Sequence, residues 1–132
     1  MMKDLLYSDI TEKIIGAAFE VHKFLGNGFQ EVIYQRAFAH EMQNAGLYFA
    51  REIEQDIFYK DLPEPIGTRR ADFVVENKIL VELKALKELE DVHYKQVSTY
   101  LKLSNKKLGI LVNFNTDKIL NSIKRIVNKF ED

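Results

Sequence analysis

Two short runs of strand character, Arg70 to Val75 and Ile79 to Ala85, flank Glu76-Asn77-Lys78; the first carries Asp72, the second Glu82 and Lys84. Read as an antiparallel hairpin, their register decides what these side chains can do. A three-residue loop sets Val75 opposite Ile79 and Asp72 opposite Glu82, with Cβ atoms about 4.5–5.5 Å apart. A two-residue loop would send the carboxylates to opposite faces. Along the second strand Leu80, Glu82 and Lys84 share one face, and Ile79, Val81 and Leu83 the other. Two carboxylates that close repel unless a proton or cation lies between them, which makes a hard divalent ion, Mg²⁺ or Mn²⁺, the natural occupant. A neighbouring lysine could hold a water or offset charge developing on a phosphate. A solvated cross-strand ion cluster would use the same residues. Glu76-Asn77-Lys78 repeats the Glu-x-Lys spacing in a plain turn, so spacing alone leaves both readings open.

The surrounding elements must position this hairpin. Ile10, Ile14, Ala17, Ala18, Val21 and Leu25 recur at helical spacing from Asp9 to Leu25, with Ser8 or Asp9 as the N-cap. Gly26-Asn27-Gly28 ends that helix, because glycine and asparagine take positive φ readily. A second helix follows, with an apolar stripe Phe29, Ile33, Ala37, Met42, Tyr34 and Phe38 adjoining, and Gly46 as its stop. Phe49 to Tyr59 alternates like a strand, and Leu62-Pro63-Glu64-Pro65-Ile66-Gly67 reads as a turn. After the hairpin, a third helix over about Asp91 to Leu103 places Val92, Gln96, Thr99, Tyr100 and Leu103 on one face. Lys107 to Phe114 is a short strand buried on both sides. The tail, Ile119 to Phe130, fits a helix by period, while Ile123 to Val127 also fits a strand. The order α, α, β, β, β, α, β suits an α/β fold, a mixed central sheet flanked by helices.

At 132 residues, 46% of them hydrophobic, the chain suits a single domain spanning 1–132. The absence of cysteine removes disulfides and thiolate chemistry, is compatible with a cytoplasmic location, and leaves oxygen or imidazole as the metal donors. No signal peptide or spanning helix is expected at the N-terminus, so no membrane partner is expected either. The net charge of -1 divides unevenly: residues 1–66 carry -5 and residues 67–132 carry +4. A basic second half suits an anionic partner as well as an ordinary solvated surface.

The segment Glu20 to Tyr34, with Gly28, Glu31 and Tyr34 at its end, resembles the signature of the GxxExxY protein family. Arg70-Ala71-Asp72-Phe73, Val81-Glu82-Leu83-Lys84-Ala85, Gln96, Tyr100-Leu101 and Gly109 to Phe114 resemble its later landmarks in order. That family is placed in the PD-(D/E)XK nuclease superfamily, so the resemblance implies an α-β-β-β-α-β core preceded here by an extra N-terminal helix. It also implies that Asp72 and Glu82 bind metal, that Lys84 is the lysine that follows, and that Glu31, the acid from the early helix, completes the metal-binding cluster. Gln96 matches the helical residue that supports such sites. Ala71 stands where the superfamily name has proline. Tyr34, near Glu31 on the same helix, could orient that acid or be a core aromatic. His22 could approach the site or be structural, and Tyr100, four residues after Gln96, could support it or simply pack against the sheet.

Three functions are consistent with these residues. The first is Mg²⁺-dependent (or Mn²⁺-dependent) hydrolysis of phosphodiester bonds in DNA or RNA by Glu31, Asp72, Glu82, Lys84 and Gln96. The second is a non-catalytic nucleic-acid- or protein-binding module that retains the fold. The third is a subunit active only as a homodimer or with a partner.

Overall fold

The chain is described by a computed structural model over residues 6–128. Helices α1 (Ser8–Leu25) and α2 (Glu31–Asn44) precede strands β1 (Phe49–Ile57), β2 (Gly67–Val75) and β3 (Ile79–Lys84). Helix α3 (Asp91–Ser104), strand β4 (Leu108–Asn113), a 3₁₀ turn (Ile119–Ser122) and strand β5 (Ile123–Val127) complete it. The strands lie in sequence order in one sheet; β3 and β4 are parallel, and every other neighbouring pair is antiparallel. This is a mixed α/β sheet with helices on both faces, as expected. The tail resolves to the strand reading, because β5 completes its pairing on the otherwise open edge of β4. Phe130 and Met1 to Leu5 lie outside the described residues.

One face of the sheet buries Phe73, Val75, Ile79, Val81, Leu83, Ile110 and Val112 against α1 and α2; the other buries Leu80 and Leu111 against Val97, Tyr100 and Leu101 of α3. β4 is buried along its whole length because both faces are covered. Gly109 permits the close approach of α3: a Cβ there would stand 2.7 Å from a Val97 methyl.

Local expectations needed correction in three places. Tyr7, in the left-handed region, is the N-cap of α1, and neither Ser8 nor Asp9 caps it. The core face of α2 is Tyr34, Phe38 and Met42, while Phe29 and Ile33 are exposed. Both sets satisfy the helical period; Tyr34 is drawn inward by stacking on Phe114, ring centroids 4.7 Å apart, a contact contributing about 0.5–1.5 kcal/mol beyond burial. On α3 the buried set is Val97, Tyr100 and Leu101, and Val92, Thr99 and Leu103 face solvent.

Candidate metal centre

The hairpin has the three-residue loop, with Val75 opposite Ile79, Val74 opposite Leu80 and Phe73 opposite Val81. There the backbone ladder stops, and the acids replace it. The Asp72 amide donates to Glu82 Oε2 at 2.9 Å, and the Leu83 amide donates to Asp72 Oδ2 at 2.8 Å. The two carboxylates are therefore neighbours, but they fill an opening between β2 and β3 instead of projecting together from one face. The other neighbour of β2 is disturbed at the same point: pairing passes from Arg51–Phe73 to Ile53–Ala71, and the residue between, Glu52, has φ 51. A glutamate in the left-handed region inside a strand is strained backbone.

Glu31 reaches the pair from the first turn of α2. A single amide nitrogen, Gln35 Nε2, donates to Glu31 Oε2 at 3.2 Å and to Asp72 Oδ1 at 3.0 Å, so the two acids share one donor. Gln35 was missed from sequence; its position four residues after Glu31, on the same face of α2, was the available signal. Lys84 Nζ donates to Gln96 Oε1 at 3.5 Å, which ties the lysine to α3. The stretch after β3 is fastened to β4: Asn113 pairs with both backbone groups of Leu86, and the Phe114 amide donates to the Lys84 carbonyl.

Burial and charge make the acids unusual. Glu82 is pushed up to about 8, first by burial and then by Asp72, against the pull of the Asp72 amide and Lys84. Asp72 is raised by burial, opposed by the Leu83 amide and by Lys84. Glu31 is raised by burial and by Asp72. Lys84 lowers all three and Glu31 acts on Glu82, so three acids and one cation fall within mutual electrostatic reach. Desolvation exceeds like-charge repulsion at each acid.

The remaining expected residues are placed differently. Tyr34 does not orient Glu31: its hydroxyl donates to the Gly26 carbonyl at 2.7 Å and accepts from the Phe29 amide at 3.3 Å, pinning the loop that leads into α2. That loop turns through positive φ at Gly26 and Gly28. His22 Nε2 meets the Thr116 carbonyl at 2.6 Å, so that nitrogen carries the proton and is engaged with the segment after β4, away from the acids. Tyr100 donates its hydroxyl to the Arg70 carbonyl, and the Arg69 guanidinium lies 3.7 Å above its ring. Tyr100 thus anchors β2 two residues before Asp72, close enough for Glu82 and Asp72 to raise its pKa after burial has done so.

The donor set suits a hard divalent cation, because it offers two neighbouring carboxylates, of which Glu82 is held protonated first by burial and then by Asp72. Among the described residues no three His, Cys, Asp or Glu side chains form a ready-made cage, so an ion at Asp72 and Glu82 would keep several waters, as Mg²⁺ does. Among the described residues, no helix is long and apolar enough to cross a membrane.

A solved structure described as "Crystal structure of SSO0001" matches with TM-score 0.59 and 22% identity, over 94% of this chain and 60% of that one. The likeness is one of fold, and this chain spans about 60% of the other's length. No curated protein sequence matches. The family model of the PD-(D/E)XK nuclease superfamily matches residues 8–126, and with the acids and lysine placed as above, the chain belongs to that superfamily.

Proposed function

We propose that this chain hydrolyses phosphodiester bonds in nucleic acid, with a divalent ion, Mg²⁺ or Mn²⁺, held by Asp72 and Glu82, and that within its superfamily it belongs with the GxxExxY proteins. Nucleases of this superfamily use divalent metal ions and act on nucleic acid. The observation that carries the reading is the opening between β2 and β3, where the buried Glu82 carboxylate and the half-buried Asp72 carboxylate stand together with Lys84 in reach. An ion there supplies Lewis acidity and a more acidic water. Glu82, pushed up to about 8, must lose its proton to receive it. Glu31 adds negative charge through its link with Gln35. Lys84, held by Gln96, offsets charge that builds on the phosphate as the bond breaks.

The binding-module alternative draws on a specific observation too: each acid already accepts a backbone amide, which is what a purely structural pair would do. Cleavage assays separate the two. Wild-type protein with Mg²⁺ or Mn²⁺ should cut single- or double-stranded DNA or RNA, and Glu82→Gln should not. Binding of these substrates without metal-dependent cleavage of any of them would favour the module.

A further inference from the structure

A second concave site lies beside the acids, between α2 and the start of β1. It is a shallow depression of about 480 Å³ lined by Arg36, His40, Gln43, Tyr48, Phe49 and Arg51, with no acidic residue in its wall. That volume is within the usual range for a small-molecule site. Neither guanidinium forms an ion pair among the described residues, where Arg70 takes Glu52 and Glu54; that of Arg51 lies 5.6 Å above the Phe73 ring, a contact that leaves its N–H groups for a ligand. Two arginines without a carboxylate partner at one spot stand out in a chain with 19 basic and 20 acidic residues. His40 adds a donor. Its Nε2 lies 3.2 Å from the Asn44 amide nitrogen, which can only donate, so the ring proton sits on Nδ1. At the rim, the Tyr48 backbone is held by the Glu76 carboxylate at 2.7 Å while the residue remains 73% exposed.

The depression neighbours the acidic site. Arg36 follows Gln35, which bonds Asp72, and Arg51 is close enough to lower the Asp72 pKa. We infer that this depression binds a nucleoside phosphate, with Arg36 and Arg51 on the phosphate oxygens and the Tyr48 ring against the base. Guanidinium forks match phosphate geometry, and a bare aromatic ring accepts any base face. The inference rests on the proposed nuclease reading, in which this nucleotide flanks the bond to be cut. The same chemistry could come from a free mononucleotide or from one unit of a strand.

The test is binding in EDTA, where cleavage is suppressed and cannot affect the readout. AMP is titrated calorimetrically, and a short fluorescein-labelled oligodeoxynucleotide by anisotropy, against wild-type protein. AMP binding indicates a mononucleotide pocket, binding of the strand alone indicates a strand unit, and either supports the site. Arg36→Ala and Arg51→Ala should each weaken binding about tenfold, and Tyr48→Ala about fivefold or more. A Lys13→Ala control, which removes one positive charge as each arginine variant does, should change it less than about twofold at the same salt. Arg36→Lys/Arg51→Lys keeps the charge and the fold while removing the forks, and should still lose affinity. The site is refuted if neither ligand binds, if the double lysine variant binds like wild type, or if AMP binds no tighter than inorganic phosphate and ignores Tyr48→Ala. Absence of cleavage by wild-type protein would refute the nuclease reading and leave these affinities standing.

Discussion

Replacing Glu82 with glutamine removes a charge but keeps a carbonyl oxygen able to accept the Asp72 amide, so the change isolates the ionisation of one buried carboxyl. In the folded chain that carboxyl titrates at about 8, against an ordinary value of 4.5. Between those values the folded protein holds a proton that the unfolded chain has released. Stability contributed by Glu82 is thus fully present below about 4.5 and is lost as pH rises toward 8, at up to about 1.4 kcal/mol per pH unit. Over the window the loss has a ceiling of roughly 4–5 kcal/mol. Urea unfolding in EDTA, followed by circular dichroism at pH 4.5, 6, 7 and 8.5, should show wild-type and Glu82→Gln protein equally stable at the lowest pH. The variant should be the more stable by several kcal/mol at the highest. Asp72 and Glu31, also raised, remain in both proteins, so the difference reports Glu82 together with its repulsion of Asp72. Parallel stability curves would refute the claim that Glu82 is a buried, proton-holding acid.

Three further outcomes follow from the same geometry. Gln35→Ala removes the amide shared by Glu31 and Asp72, so the metal-free protein should melt lower at pH 8 and gain more from millimolar Mn²⁺ than wild type does; equal gains would show that Gln35 does not hold the acids together. Lys84→Ala should retain or strengthen Mn²⁺ binding in calorimetry while cleavage falls at least tenfold, and a parallel loss of both would contradict its assignment to the transition state. Tyr34→Phe, which loses the bonds to Gly26 and Phe29, should cost about 1–2 kcal/mol in urea unfolding and leave Mn²⁺ affinity unchanged.

The hairpin register was legible because it depends on one local quantity, the three-residue loop, whose parity fixes every later pair. The opening beyond Phe73 and Val81 was not, since it arises when carboxylates displace ladder bonds, and alternation cannot express that. The face of α2 was misassigned because Phe29 and Ile33 fit the period as well as Tyr34 and Phe38, and the deciding partner, Phe114, lies on a segment eighty residues away. β5 was ambiguous for the same reason: its identity depends on a vacant edge of β4. Gln35 escaped notice because it does not ionise, and the pairing of Arg36 with Arg51 exists only once α2 lies beside β1.

A crystal soaked in Mn²⁺ with a short oligonucleotide, using anomalous scattering to find the ion, tests the central claim most directly. The account predicts an anomalous peak in bonding contact with carboxylate oxygens of both Asp72 and Glu82, with a phosphate of the strand beside it and Lys84 near that phosphate. Carboxylates still bonded to the Leu83 and Asp72 amides, with no peak between them and the strand bound elsewhere, would contradict it.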